Sequence, residues 1–357
     1  MSAVGAASER ARAVPATVRR TGAVASPLGA RALVPDAEGP IACVPDGNRS
    51  VIVPELTVAY AGRRFMLSVK GAGARAPAYD AFPLDGLGPR VLAAESWMGD
   101  APYGGQGERG ALDALAVGAL ADDAATIAGA CVCPLAAVVE VPEAHVRRDC
   151  FWYRRFRGPI VQEHRLVPSD VRLFHGTECA LGREPERALD AFGVRDVEAL
   201  DAFIERFLAT GIAAITLWAR TARPSAGGGF EGLDYDDVWL DKDSLVAPDG
   251  SLFLVDLESI EWTPASARVG AAARIAKQFD RNYYDVMYGL DVLLGVRDAW
   301  LERAPDRALR RASAAARLGL ALAADERVRV IESREGVDLE VRAPEGSPVR
   351  VRVIDWR

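Results

Sequence analysis

The chain has 357 residues, half of them hydrophobic, and a formal net charge of −7. That length supports one large domain or two moderate ones with a sizeable core. The acidic balance argues against nucleic-acid binding through bulk charge, no apolar run reaches the length of a bilayer span, and no signal-peptide pattern is present. The sequence therefore predicts a soluble, cytoplasmic protein without nucleic-acid or membrane partners.

Residues 1–40 are rich in Ala, Arg, Val and Pro, show no sustained period, and read as a flexible arm. Val51 to Tyr60 and Arg64 to Lys70 read as two strands joined by Ala61-Gly62. Glu108 to Asp122 has helical spacing, with Leu112, Leu115, Val117 and Leu120 on a core face. Ile127 to Val141 and Ile160 to Leu173 read as extended segments. Val197 to Thr221 is an amphipathic helix built on Leu200, Phe203, Ile204, Phe207 and Leu208. Residues 266 to 323 form a long helical region, and the last 30 residues alternate as a small antiparallel appendage. The five cysteines form no CxxC pair. They read as free thiols, with Cys131 and Cys133 on one side of a strand.

The order is strands, helix, strands, then helix, acidic hairpin and helices. That order predicts an α+β chain with a bilobal, protein-kinase-like fold. Its expected parts are a β-rich N-lobe over 41–145, a helical C-lobe with a catalytic loop over 146–323, and a β appendage over 324–357.

The chemistry-bearing stretch is Leu233 to Glu258. It places Asp234, Asp236 and Asp237 in one loop, then a Pro248-Asp249-Gly250 turn, then the apolar run Leu252 to Val255 ending in Asp256. Carboxylates at a strand end facing carboxylates from a loop form a hard-oxygen site for Mg²⁺. Acidic residues around a hairpin also arise because Asp favours turns. Among 43 Lys and Arg residues the lysines are Lys70, Lys242 and Lys277 alone. Lys70 ends a strand, the position from which a kinase lysine contacts nucleotide phosphates and pairs with a helix carboxylate. Glu108 is the expected partner and Glu95 the alternative. Arg165 and Arg172 flank a Pro168-Ser169 turn, and guanidinium forks suit phosphate oxygens. Surface ion pairing is the competing reading for both. Gly105 to Gly110 spells GxGxxG with no strand before it, so a dinucleotide site is not expected. His145, His164 and His175 lack zincin spacing.

Assembled, these residues resemble the selenoprotein-O family of protein adenylyltransferases. Lys70-Gly71-Ala72-Gly73 matches the family's KGAG lysine, and Glu108 lies in a helix loosely similar to the one that carries its glutamate. Arg165 and Arg172 around Val167-Pro168-Ser169 match its arginine pair. Gly232 to Val238 is similar to its catalytic loop, and Asp256 to the aspartate of its DFG-like motif. Asp237 stands where the family has Asn, and Leu257-Glu258 follows Asp256 without a glycine. The resemblance implies ATP with Mg²⁺ (or Mn²⁺) as cofactors, and transfer of AMP to a Ser, Thr or Tyr hydroxyl of a protein substrate. In it Lys70, Arg165 and Arg172 hold phosphates, with Glu108 pairing Lys70. Asp236 orients or deprotonates the nucleophile, and Asp237 and Asp256 hold the metal. A phosphotransferase acting on a small molecule or protein, and a catalytically inactive pseudokinase scaffold, are the alternative functions.

Overall fold

The computed structural model describes residues 9–36, 38–46, 50–72, 106–121, 129–146, 158–174, 180–221, 223–224, 230–235, 240–255, 257, 260–264, 269–304, 306–324, 328–333, 336–341 and 349–353. The chain divides into two units, residues 1–122 with 133–180, and residues 123–132 with 181–357.

The first unit is built on β1 (Glu9–Pro15), β2 (Thr17–Thr21), β3 (Arg31–Pro35), β4 (Ile41–Asp46), β5 (Ser50–Tyr60), β6 (Arg63–Lys70), β7 (Gln106–Gly107), helix α1 (Glu108–Ala121), β9 (Leu135–Glu140) and β10 (Ile160–Val167). These nine strands form one antiparallel sheet in the order β2-β9-β10-β6-β5-β4-β1-β3, with β7 paired to β10. The β5–β6 hairpin turns at Ala61 and Gly62, whose φ angles of 47° and 75° are the left-handed pair that matches strand twist.

Only Ala16 separates β1 from β2, yet they pair near opposite ends of the strand order, β1 with β4 and β3, and β2 with β9. One bent strand thus makes the sheet curl back on itself. Inside the curl Ala32, Leu33 and Val34 are all buried, so β3 is covered on both faces. Leu33 joins a core with Val51, Val53, Leu67 and Val69. Ala32 and Val34 join another with Val139, Val141 and Ile160. The buried Gln162 side chain acts as a substitute strand for β3. Its amide nitrogen donates to the Leu33 carbonyl at 2.7 Å, and its amide oxygen accepts from the Leu33 N–H at 2.8 Å.

The second unit begins with β8 (Cys131–Val132), which pairs in parallel with β14 (Leu252–Leu254). It continues with α2 (Pro185–Ala191), α3 (Val197–Ile215), α4 (Leu217–Thr221), β11 (Arg223–Pro224), β12 (Phe230–Tyr235), α5 (Leu240–Asp243), β13 (Ser244–Val246), β14 (Leu252–Leu254), β15 (Ile260–Pro264), α6 (Val269–Trp300), α7 (Arg307–Ala323), β16 (Val328–Ser333), β17 (Gly336–Val341) and β18 (Val349–Val353). Asp196 caps α3 by accepting the Ala199 N–H. Helices α3 and α6 pack closely, and Arg297 reaches Asp201 with two hydrogen bonds. Strands β16 to β18 form an antiparallel meander over the region expected to be an appendage.

The expectation of a bilobal, protein-kinase-like fold is overturned. The N-terminal part is a nine-stranded antiparallel sheet with few helices. It takes in β10 and residues up to 180, which the kinase-like reading places in the second lobe, and residues 9–35, which that reading places in an arm. The physical reason lies in β1. Arg10 and Arg12 are exposed while Ala11 and Ala13 pack on the core of Leu33 and Val51, so the alternation exists, but alanine as the inward residue makes the hydrophobic signal weak.

Candidate functional site

The register of four adjacent strands brings the basic residues of the first unit together. Asp46 pairs with Ser50, Ser50 with Lys70, and Lys70 with Glu163. Residues directly opposite in antiparallel strands share a face, so these four side chains form one row across β4, β5, β6 and β10. A second row, Ile52, Ser68 and Arg165, lies two residues along. All the polar members of both rows are buried. Val51 and Val69 alternate onto the opposite, apolar face.

Hydrogen bonds connect the rows. Arg165 donates through Nη2 to Ser50 Oγ at 3.0 Å, and its Nε lies 3.7 Å from the Glu163 carboxylate. Arg172, just beyond β10, converges on Asp46: its Nε and Nη2 both lie 2.7 Å from Oδ1. Between the arginines, Ser169 Oγ accepts the Val171 N–H at 3.0 Å, which fixes the turn after Pro168. Asp170 is fully buried beside it.

Lys70, Arg165 and Arg172 therefore belong to one buried ionic network. Its anionic members include Asp46 and Glu163. Burial of this many charges is tolerated only with mutual compensation. A phosphate entering here would exchange with carboxylates already in place, because each guanidinium is engaged. Among the described residues Asp46 Oδ2 and Ser68 Oγ have no hydrogen-bond partner.

Glu108 opens α1, where a carboxylate suits the helix N-terminus. Its Oε1 lies 2.6 Å from Arg19 Nε, and this contact raises the Arg19 pKa. Lys70 instead faces Glu163 across the strand pair. The alternative partner, Glu95, lies outside the described residues.

His164 sits on the face opposite Glu163 and Arg165, in register with Val69 and Ala137. Its Nδ1 is 2.7 Å from Ser26 Oγ. Burial pushes its pKa down to about 4, against a smaller opposing effect from the Arg31 backbone. It is a neutral core histidine at physiological pH.

Asp236, Asp237 and Asp256 lie outside the described residues. Their flanks are described. The Pro248-Asp249-Gly250 turn joins β13 to β14 as the sequence predicts, with Asp249 accepting the Ser251 N–H at 3.0 Å. Asp241 and Asp243 are buried in α5, and the Asp241 N–H donates to Asp285 of α6 at 3.2 Å. Among the described residues no group of three His, Cys, Asp or Glu side chains is arranged to hold a metal ion.

Sequence reading selected the cations of the network and missed its anions and hydroxyls. Glu163 precedes Arg165 by two residues and Ser68 precedes Lys70 by two, so a period-two reading of each strand places them together. Asp46 and Ser50 flank the β4–β5 connection and carried no such signal.

No protein-family model matches the chain, and no curated protein matches it in sequence. No helix of the described residues is long and apolar enough to cross a membrane.

Proposed function

We propose that the chain is an ATP-dependent transferase that moves AMP to hydroxyl groups of a protein substrate. Lys70, Arg165 and Arg172, which the selenoprotein-O resemblance assigns to phosphate binding, come from separate segments and meet in one network of the first unit. That convergence supports the reading. In this proposal the three cations hold the phosphates, and Asp236 orients the acceptor hydroxyl. Asp237 and Asp256 are the residues assigned to Mg²⁺ (or Mn²⁺), which when bound neutralises phosphate charge.

A second reading is a binding scaffold without catalysis. The observation that favours it is the engagement of Arg172 by Asp46 and the approach of Glu163 to Arg165, which leaves little uncompensated positive charge. Incubation with ATP labelled at the α or the γ phosphate separates the readings. Label from the α position on protein supports AMP transfer. Label from the γ position on an acceptor replaces it with phosphoryl transfer, and no transfer of either label leaves the scaffold.

A further inference from the structure

A cavity of about 540 Å³ lies in the first unit between β2 and α1. Leu112, Leu115 and Ala116 of α1 and Leu135 of β9 line it with apolar surface, and Arg19 and Arg20 of β2 stand at its rim. Leu115 and Leu135 are buried, whereas every residue of β2 is exposed. The floor is thus apolar and the mouth solvent-exposed and basic. Small-molecule sites have this character: roughly 300–1,000 Å³, mostly apolar, with a few placed polar groups.

The arginines reach the cavity together because of a local irregularity. Successive strand residues ordinarily point to opposite faces. Here Val18 pairs with Val139 and Arg20 with Val138, so Arg19 is an extra residue opposite no partner. A bulge of this kind re-aims a side chain. Arg19 is held by Glu108 at 2.6 Å and Glu140 at 3.4 Å. Arg20 has no ion-pair partner among the described residues. The rim therefore carries two carboxylates that neutralise one arginine, and a second cation to which no described residue supplies a counter-ion.

We propose that this cavity binds an unbranched, medium-chain fatty-acid carboxylate, with its chain over Leu112, Leu115 and Leu135 and its carboxylate on Arg20. The site is separate from the Lys70–Arg165–Arg172 network and does not depend on its function. A neutral or cationic amphiphile lacks the group that Arg20 selects, and a free anion such as acetate lacks the chain that the leucines select.

Calorimetric titration with sodium dodecanoate, below its micelle-forming concentration, tests the site on the full chain. One site per chain is expected. Dodecyltrimethylammonium should bind at least about tenfold more weakly, the effect of losing one charge-assisted contact. Arg20→Glu, at an exposed position that the fold does not need, should weaken dodecanoate by the same factor or more. Ala116→Trp, which fills the mouth, should abolish binding while the far-ultraviolet circular dichroism stays unchanged. Equal affinity for the two amphiphiles, or wild-type affinity in either folded variant, overturns the proposal, as does the absence of dodecanoate binding. A parallel arm uses phosphatidylglycerol vesicles. Co-sedimentation that Arg20→Glu removes, without binding of free dodecanoate, would assign the arginine to a lipid surface and likewise overturn it.

Discussion

Arg172 and Asp46 are 126 residues apart in sequence and form a buried ion pair in which two guanidinium nitrogens converge on one carboxylate oxygen. The pair ties the segment after β10 to the end of β4. Removing one partner leaves the other charge buried and uncompensated. Arg172→Ala should therefore destabilise the first unit by about 3–5 kcal/mol, and replacing both residues by apolar ones of similar volume should cost much less. Urea unfolding of the single and paired variants checks this. ATP added to the paired variant gives a separate readout. If the network holds phosphates, ATP with Mg²⁺ should raise the melting temperature of the wild type and not of the paired variant.

His164 gives a pH dependence with a defined sign. Its pKa is pushed down to about 4 in the folded chain, against 6.5 for the exposed imidazole. The unfolded chain therefore binds the proton more readily, and stability falls as pH drops from 6.5 towards 4. Above 6.5 this contribution is complete. Its size across that window is roughly 3 kcal/mol. Denaturant midpoints of the wild type and His164→Asn at pH 7 and pH 4.5 should show a shallower decline in the variant. Parallel declines would mean that His164 is not desolvated as described.

The packing of α3 on α6 depends on Gly211. A Cβ added there would lie 2.8 Å from Val286 Cγ1, the end of a stiff β-branched side chain. Overpacking costs about 1–3 kcal/mol, while exchanging glycine for alanine within a helix returns up to about 1 kcal/mol. Gly211→Ala should thus be destabilising overall. In a Val286→Ala background the clash disappears, and the same substitution should become stabilising. Thermal melts of the four chains in this cycle measure the reversal.

Gly250 makes the turn between β13 and β14 with φ of 90°. A Cβ there would approach the Phe203 carbonyl oxygen to 2.3 Å. Gly250→Ala combines backbone strain with a clash against main chain that cannot move, and should cost about 3 kcal/mol or more. Asp249→Ala, one residue earlier, removes a single part-buried turn hydrogen bond to the Ser251 N–H and should cost about 1 kcal/mol. Similar melting temperatures for the two variants would contradict this account.

Most individual elements were legible in the sequence, and the way they assemble was not. The hairpin at Ala61-Gly62 and the helices beginning at Glu108 and Val197 stand where periodicity places them. The long helical region over 266–323 is interrupted between Trp300 and Arg307, where Glu302 adopts a φ of 54°. Sheet closure escaped because it depends on pairings such as Thr21 with Ala137, which no local pattern encodes. The basic half of the ionic network was legible because lysine is scarce in this chain and the arginines bracket a turn. Its acidic half was not, since Asp46 meets Arg172 only through the order of the strands.

The strand that bends at Ala16 also bears on how the protein is made. Residues 17–21 leave the ribosome first, and their partners in β9 follow more than a hundred residues later. At translation rates of about 5–20 residues per second, that interval is roughly ten seconds. Throughout it, Thr17 to Thr21 have no β9 to pair with. Two neighbouring arginines within these five residues keep the waiting segment soluble and poor at recruiting other nascent chains. Arg19 and Arg20 therefore guard the strand during synthesis, before any cavity exists for them to border.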